Sequence, residues 1–285
     1  MENPKFTFGV PSGIGDISWL YSKLVNLKSS FALEICGNLP RRSKEFAEIL
    51  PKVENSFYED FSYRETFVVS DKGISPSTDL EILPPGKYYL SANRFLESGN
   101  KLERFLPFLP INYRYEINTQ GAKDFLEGLN PPFVGVYCSK YENYKNEWKF
   151  LSADEWGVLL KIIYSLFPCT FVFIGASFDV GLGDEVFNKL NLPAINLIGK
   201  THIKDIVFMM KKFSYLFAYP SGIGVLGDVV DIPTMHFLPT PRLDNLKDTY
   251  ADPKNIESGK HLNVMFTSVK NVIDIFTLKG LPLCC

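Results

Sequence analysis

Short apolar runs alternate with amphipathic stretches along most of the chain, and that alternation sets the fold class. Phe6–Val10 predicts a strand. Behind it Ile17, Leu20, Tyr21, Leu24 and Val25 recur at i, i+3, i+4, i+7 and i+8, the spacing of a helix with one buried face. Phe31–Cys36 predicts a second strand, Gly37–Pro40 a turn, and Arg41 to Leu50 a helix stopped at Pro51. Thr66–Ser70 and Tyr88–Leu90 have strand character within an otherwise irregular stretch. Two prolines in Leu129-Asn130-Pro131-Pro132 exclude helix there and mark a linker.

Beyond the linker the alternation is clearer. Phe133–Tyr137, Thr170–Ile174, Ile195–Ile198, Tyr215–Tyr219 and Thr234–Leu238 predict five strands. Ser152–Leu166 predicts a helix opened by a Ser152/Glu155 capping box, with Trp156, Leu159, Leu160 and Ile163 as its apolar stripe. A further helix is expected from Thr201 to Lys212, its closing Lys211-Lys212 suiting the negative end of the helix dipole. Apolar strands separated by helices predict a parallel, doubly wound α/β sheet. Residues 240–262, rich in Pro, Asp, Asn and Lys, predict a long loop before a last helix from Ser268 to Thr277. The expected organisation is an N-terminal Rossmann-like domain over 1–128, a C-terminal one over 129–265, and a closing helical segment over 266–285.

Length agrees, since 285 residues are enough for two such domains. A net charge of −2 gives no global attraction to nucleic acid or anionic membrane, which leaves only a local patch for either. The five cysteines show no CxxC spacing and no disulfide framework, which suggests idle thiols in a reducing compartment. The terminal Cys284-Cys285 lacks a prenylation box. No apolar run approaches the length needed to span a bilayer, and no leader pattern precedes the first strand, so the expected location is cytoplasmic.

The candidate chemistry lies in a repeated pentapeptide. Pro-Ser-Gly-Ile-Gly occurs at Pro11–Gly15 and at Pro220–Gly224, each time after an apolar run and before a helical stretch. A glycine turn there lets backbone approach a ligand and aims unpaired helix N–H groups at it. After the second copy no carboxylate occurs before Asp228, so Ser221, Gly222, Ile223 and Gly224 could receive a diphosphate without repulsion. The alternative is a turn that needs glycine only for tight packing. The first copy is followed directly by Asp16, either a helix N-cap or a general base. A helix N-terminus is expected to lower its pKa and keep it ionised.

Other signals fail on position. Gly222–Gly227 spells a complete GxGxxG, but it follows the fourth strand of its domain, whereas a dinucleotide fingerprint follows the first. His202, His236 and His261 show no metal-ligand spacing, and His236, inside an apolar strand, is expected to be a core histidine. Neither an Asp-x-Asp motif after a strand, nor a Gly-x-Ser-x-Gly elbow, nor a Walker lysine is present.

Gly13-Ile14-Gly15-Asp16-Ile17 resembles the N-terminal motif of bacterial heptosyltransferase-type enzymes, glycosyltransferase family 9. Phe171–Gly175, Asn196–Thr201 and Tyr215–Leu238, with Pro233-Thr234, resemble that family's donor-binding region. The resemblance implies a GT-B fold: two Rossmann-like doubly wound domains facing a central cleft, with the last helix packing back toward the first. It implies an inverting, metal-independent transfer from a nucleotide-diphosphate sugar, which is a substrate, with no cofactor. Asp16 matches the family's catalytic base, and Ser221 and Gly222 match the turn facing the donor diphosphate, with Ile223, Gly224 and Gly199 beside them. A donor-phosphate lysine near a tryptophan is matched by Lys145 or Lys149 around Trp148, or by Lys140, each otherwise a solvated surface charge. Arg242 could also reach the donor. Ser12, Gly13, Gly15, Arg41 and Arg42 fall on the acceptor side, the two arginines being equally readable as surface positions.

Two departures from the family point to a changed donor or changed contacts. Pro220 stands where an acidic residue is usual, and Val225-Leu226 where a Met-His pair is usual. The expected acceptor is a saccharide hydroxyl. The alternatives are a hydroxymethylated DNA base, as in viral DNA glycosyltransferases, a sugar-nucleotide epimerase, and a non-catalytic binding protein of the same fold.

Overall fold

The computed structural model describes residues 6–36, 40–59, 86–89, 109–138, 150–219, 221–238, 252–265 and 269–278. Its contacts divide the chain into two compact units, Met1–Gly121 with His202–Lys204, and Ala122–Thr201 with Asp205–Cys285.

The first unit runs β1 (Phe6–Pro11), α1 (Ile14–Leu24), β2 (Phe31–Cys36), α2 (Pro40–Glu48), β3 (Val53–Glu59), β4 (Gly86–Tyr89). All four strands are parallel, in the order β3-β2-β1-β4. Ile17, Leu20, Tyr21 and Leu24 of the expected stripe are buried at 0–1 % exposure. Burying one such side chain contributes roughly 1.5–3 kcal/mol. Ser18, Trp19, Ser22 and Lys23 are buried too, so α1 is enclosed on every side rather than on one face, and Val25 is its partly buried C-cap. Phe8 of β1 meets Phe31 of β2 edge-on at 5.5 Å. The segment after 109 is tied across these helices, Asn112 N–H donating to Ser22 C=O at 2.8 Å and Asn118 N–H to Ile49 C=O at 2.8 Å. Strand β3, at the edge of the sheet among the described residues, was hidden because Val-Glu-Asn-Ser-Phe-Tyr-Glu has no apolar run. The expected strand at Thr66–Ser70 lies outside the described residues.

The second unit runs β5 (Phe133–Tyr137), α3 (Ala153–Leu166), β6 (Thr170–Phe173), a 3₁₀ turn at Ser177–Asp179, α4 (Val180–Lys189), β7 (Ala194–Asn196), α5 (Ile203–Met210, whose first two residues are grouped with the first unit), β8 (Phe213–Ala218), α6 (Gly222–Val229), β9 (Thr234–Leu238), α7 (Pro253–Glu257), β10 (His261–Met265), α8 (Val269–Leu278). Its parallel sheet has the order β10-β9-β8-β5-β6-β7. Counted from β5 that is 3-2-1-4-5-6, the Rossmann order. Ser152 caps α3, and the reciprocal bond from its own N–H to Glu155 Oε2 completes the expected capping box. Trp156 anchors the core against Phe237 at 5.3 Å and Tyr219 at 6.0 Å, both edge-on.

Three expectations change. Residues 122–128 belong with the second unit, because Lys123 N–H donates to Asp205 Oδ1 at 2.8 Å and Lys212 Nζ bonds Asp124. The stretch expected to be loop to residue 262 contains α7 and the first residues of β10, with Asp252 capping α7 through Lys254 N–H and Pro253 opening it. The last helix was expected to turn back to the first domain. Its described part lays Val269, Val272 and Ile273 on the second unit's core, against α3.

Candidate functional site

Both sheets reverse strand order at their first strand, so the connections on either side of β1, and of β5, leave in opposite directions. That opens a crevice beyond the carboxyl ends of the strands, where open α/β sheets bind ligands. In the first unit the reversal lies between β1 and β4, and the Pro11–Gly15 turn directly follows β1. In the second it lies between β5 and β8, and the Ser221–Gly224 turn follows β8. Each repeat copy therefore sits at its own sheet's switch point.

In the first turn Gly13 is the N-cap of α1 and has no side-chain cap bond, while Asp16 is the third helical residue. Of the two readings open for Asp16, the cap position is thereby taken by Gly13. The Asp16 carboxyl folds back over Gly13 so closely that a Cβ there would overlap Oδ2. Asp16 keeps a partly accessible side chain yet sits deep among protein atoms. Burial pushes its pKa up from 3.8 to about 7, against the opposing pull of a hydrogen bond from its own N–H. The expectation of a lowered pKa is corrected here. Desolvation of the carboxylate outweighs the helix N-terminus. Ser12 is buried, and its carbonyl accepts from Ser43 Oγ of α2. Gly15 is the second residue of α1. Arg41 and Arg42 lie in the first turn of α2, with Arg42 half-buried.

In the second turn Ser221 is the N-cap of α6, and its Oγ accepts from Gly224 N–H at 3.2 Å. The N–H groups of Gly222 and Ile223, first and second in the helix, have no intrahelical acceptor by geometry. No acid lies in the helix's first turn. Tyr219, just ahead of the turn, is held by Leu151 N–H at 2.7 Å. Gly199 has φ +71° and donates its N–H to Gly175 C=O at 3.1 Å, so that amide is engaged in a turn. Lys200 Nζ reaches Asn196 C=O at 2.9 Å. Lys140, Lys145, Lys149, Arg242 and Pro220 lie outside the described residues.

The structure also joins residues whose spacing in the chain gave no sign of contact. His236 and His261, on neighbouring strands β9 and β10, stack edge-on at 4.5 Å, and Asp228 of α6 lies 3.2 Å from His261. Only the adjacency of β9 and β10, which the unrecognised β10 concealed, could have shown this. Among the described residues no group of three or more His, Cys, Asp or Glu is arranged to hold a metal ion. Cys138 and Cys169 are buried free thiols, each pushed up to about 12 by burial. No described helix is long and apolar enough to cross a membrane.

No family model and no curated protein matches the sequence. Solved structures do. The ADP-heptose lipopolysaccharide heptosyltransferase II of E. coli superposes with a TM-score of 0.64 at 12% identity, over 96% of this chain and 98% of that one. A family 9 glycosyltransferase from Veillonella parvula gives 0.62 at 15% identity, over 99% and 94%. The E. coli heptosyltransferase WaaC with ADP gives 0.61 at 12% identity, over 96% and 99%. The chain has the GT-B fold of the heptosyltransferases. Within this GT-B fold Val225 and Leu226, at the Met-His positions of the family resemblance, are buried at 4% and 0% exposure and so belong to the core.

Proposed function

We propose that this protein is an inverting, metal-independent glycosyltransferase that moves a sugar from a nucleotide-diphosphate donor to a hydroxyl acceptor, most simply a saccharide. The observation that carries the reading is the contrast between two turns at two switch points. One carries a carboxyl of near-neutral pKa, and the other an acid-free helix N-terminus.

A general base works best when its pKa lies near the operating pH, and a value of about 7 at Asp16 meets that condition. Asp16 would take the proton from the acceptor hydroxyl as that oxygen bonds to the anomeric carbon. The bond from the anomeric carbon to the diphosphate oxygen breaks, and the nucleoside diphosphate leaves with the electron pair. The N–H groups of Gly222 and Ile223 would meet the charge growing on that diphosphate, as preorganised donors do for a developing anion. Lys140, Lys145, Lys149 and Arg242 are the candidates for added positive charge. The acceptor-side residues are Ser12, Gly13, Gly15, Arg41 and Arg42. The E. coli neighbours, one bound to ADP, make an adenine nucleotide the first donor to try.

The test is a thermal-shift screen with ADP, GDP, UDP and CDP. A ligand at a hundred times its Kd stabilises the native state by about 2.7 kcal/mol. One nucleotide is expected to raise Tm clearly, and a flat response to all four contradicts the proposal. Incubating the matching nucleotide sugar alone, with a saccharide, or with hydroxymethylated duplex DNA then separates transferase from epimerase and sugar from DNA acceptor.

A further inference from the structure

Beneath the second turn lies a buried polar chain that starts and ends on one helix. Asp228, near the end of α6, is 3% exposed, and its carboxylate is surrounded by donors. Asn255 Nδ2 donates to Oδ1 at 2.8 Å, Asp252 N–H donates to Oδ2 at 3.2 Å, and His261 Nδ1 lies 3.2 Å from Oδ2. Nδ1 of His261 is thus within ion-pair reach of that carboxylate without hydrogen-bond geometry to it. His261 Nε2 in turn lies 3.2 Å from His236 Nδ1, with the rings perpendicular at 88°. His236 is fully buried and reaches the backbone of Gly224 so closely that a Cβ there would overlap its Nε2. Gly224 and Asp228 are four residues apart, one turn along the same helix face. The chain thus leaves α6 at Asp228, passes through β10 and β9, and returns to α6 at its first turn.

Burial and the neighbouring His261 hold His236 well below the usual histidine pKa, so this ring is neutral, and a backbone hydrogen bond at Gly224 partly offsets them. A neutral imidazole has one donor nitrogen and one acceptor nitrogen, so the chain is directional. A hydrogen bond that raises an imidazole pKa is one the ring donates, so His236 carries its proton on Nε2, toward Gly224, and its Nδ1 is left to accept from His261 Nε2.

We propose that Asp228, His261 and His236 form a positioning chain that holds the first turn of α6 in the shape its amides need to receive a diphosphate. The proposal rests on the donor-site reading of that turn. None of the three residues is assigned contact with substrate; they act through Gly224.

The test uses the full-length protein, with Asp228→Asn and His236→Leu beside the wild type. Long-range ¹H–¹⁵N spectra of the wild type should show His261 protonated at Nε2 and His236 as a single neutral tautomer, protonated at Nε2. A mixture of tautomers at His236 overturns the proposal whether or not either variant folds. In both variants, amide exchange at Gly222–Gly224 should speed up at least tenfold more than in β5 and β6. Affinity for the nucleoside diphosphate found by thermal shift should fall at least tenfold. Selective exchange with affinity unchanged within twofold contradicts the proposal, as does exchange that rises equally at all core amides. If the wild type binds no nucleoside diphosphate, the donor-site reading fails separately, and tautomers and exchange still decide whether the chain shapes this turn.

Discussion

The two Pro-Ser-Gly-Ile-Gly copies share five residues and differ in where their helices begin. In the first copy the helix starts at Ile14, the fourth letter, with Gly13 as its N-cap. In the second it starts at Gly222, the third letter, with Ser221 as its N-cap. The third helical amide is satisfied in both cases, but by different groups: Asp16's own carboxyl in the first, Ser221 Oγ in the second. A glycine is crowded in both, yet by different neighbours, since Gly13 makes room for Asp16 and Gly224 for His236. One side chain thus resets the cap, the crowding and the chemistry of an otherwise repeated turn. Identical letters specify strand-turn-helix geometry; the residues that follow and lie beneath specify what the turn does.

The sharpest way to break this contrast is at Asp16. Replacing a general base should lower kcat by about 10²–10⁴-fold, so Asp16→Asn should do so while nucleotide affinity stays within about twofold. A transfer assay with the matched donor checks it, and near wild-type turnover would falsify the base assignment. The paired glycines come next. Gly224→Ala drives a methyl into a buried histidine ring and should cost about 1–3 kcal/mol as an overpacked core does, read by denaturant unfolding. Gly13→Ala meets only the far end of the Asp16 side chain, which can swing away. It should therefore reduce turnover more than stability.

pH offers a further contrast. Only the ionised carboxylate accepts a proton, so kcat/KM should rise with pH up to about 7 and then level off. Stability should run the other way. A raised folded pKa means the native state holds its proton more tightly, so this contribution is complete below 3.8 and lost as pH rises through about 7. The wild type should therefore lose stability relative to Asp16→Asn across that window, by at most on the order of 4 kcal/mol. Equal pH dependence of the two proteins in thermal melts would remove the burial argument. The smallest effect separates the serines. Ser221→Ala should cost about 1 kcal/mol as a lost helix cap, with Ser12→Ala costing less because Gly13 caps α1.

Much of this was legible in the chain. The presence of α1, the Ser152 capping box and the five strands from β5 to β9 follow from local pattern alone, although the pattern did not show that α1 is buried all round, polar residues included. β3 and β10, each at a sheet edge among the described residues, were missed because polar residues interrupt their apolar pattern. Missing β10 hid the His236–His261–Asp228 contact, since strand adjacency is what joins residues 25 positions apart. At Asp16 the identity of the residue was legible and its pKa was not. The helix N-terminus is written in the sequence, whereas burial depends on everything folded around it.

The most direct test of the division of labour is calorimetric titration of the cognate nucleoside diphosphate into wild type, Asp16→Asn and Gly224→Ala. The account predicts an unchanged Kd for Asp16→Asn and a Kd at least tenfold weaker for Gly224→Ala. Affinity lost at Asp16 and kept at Gly224 would contradict it.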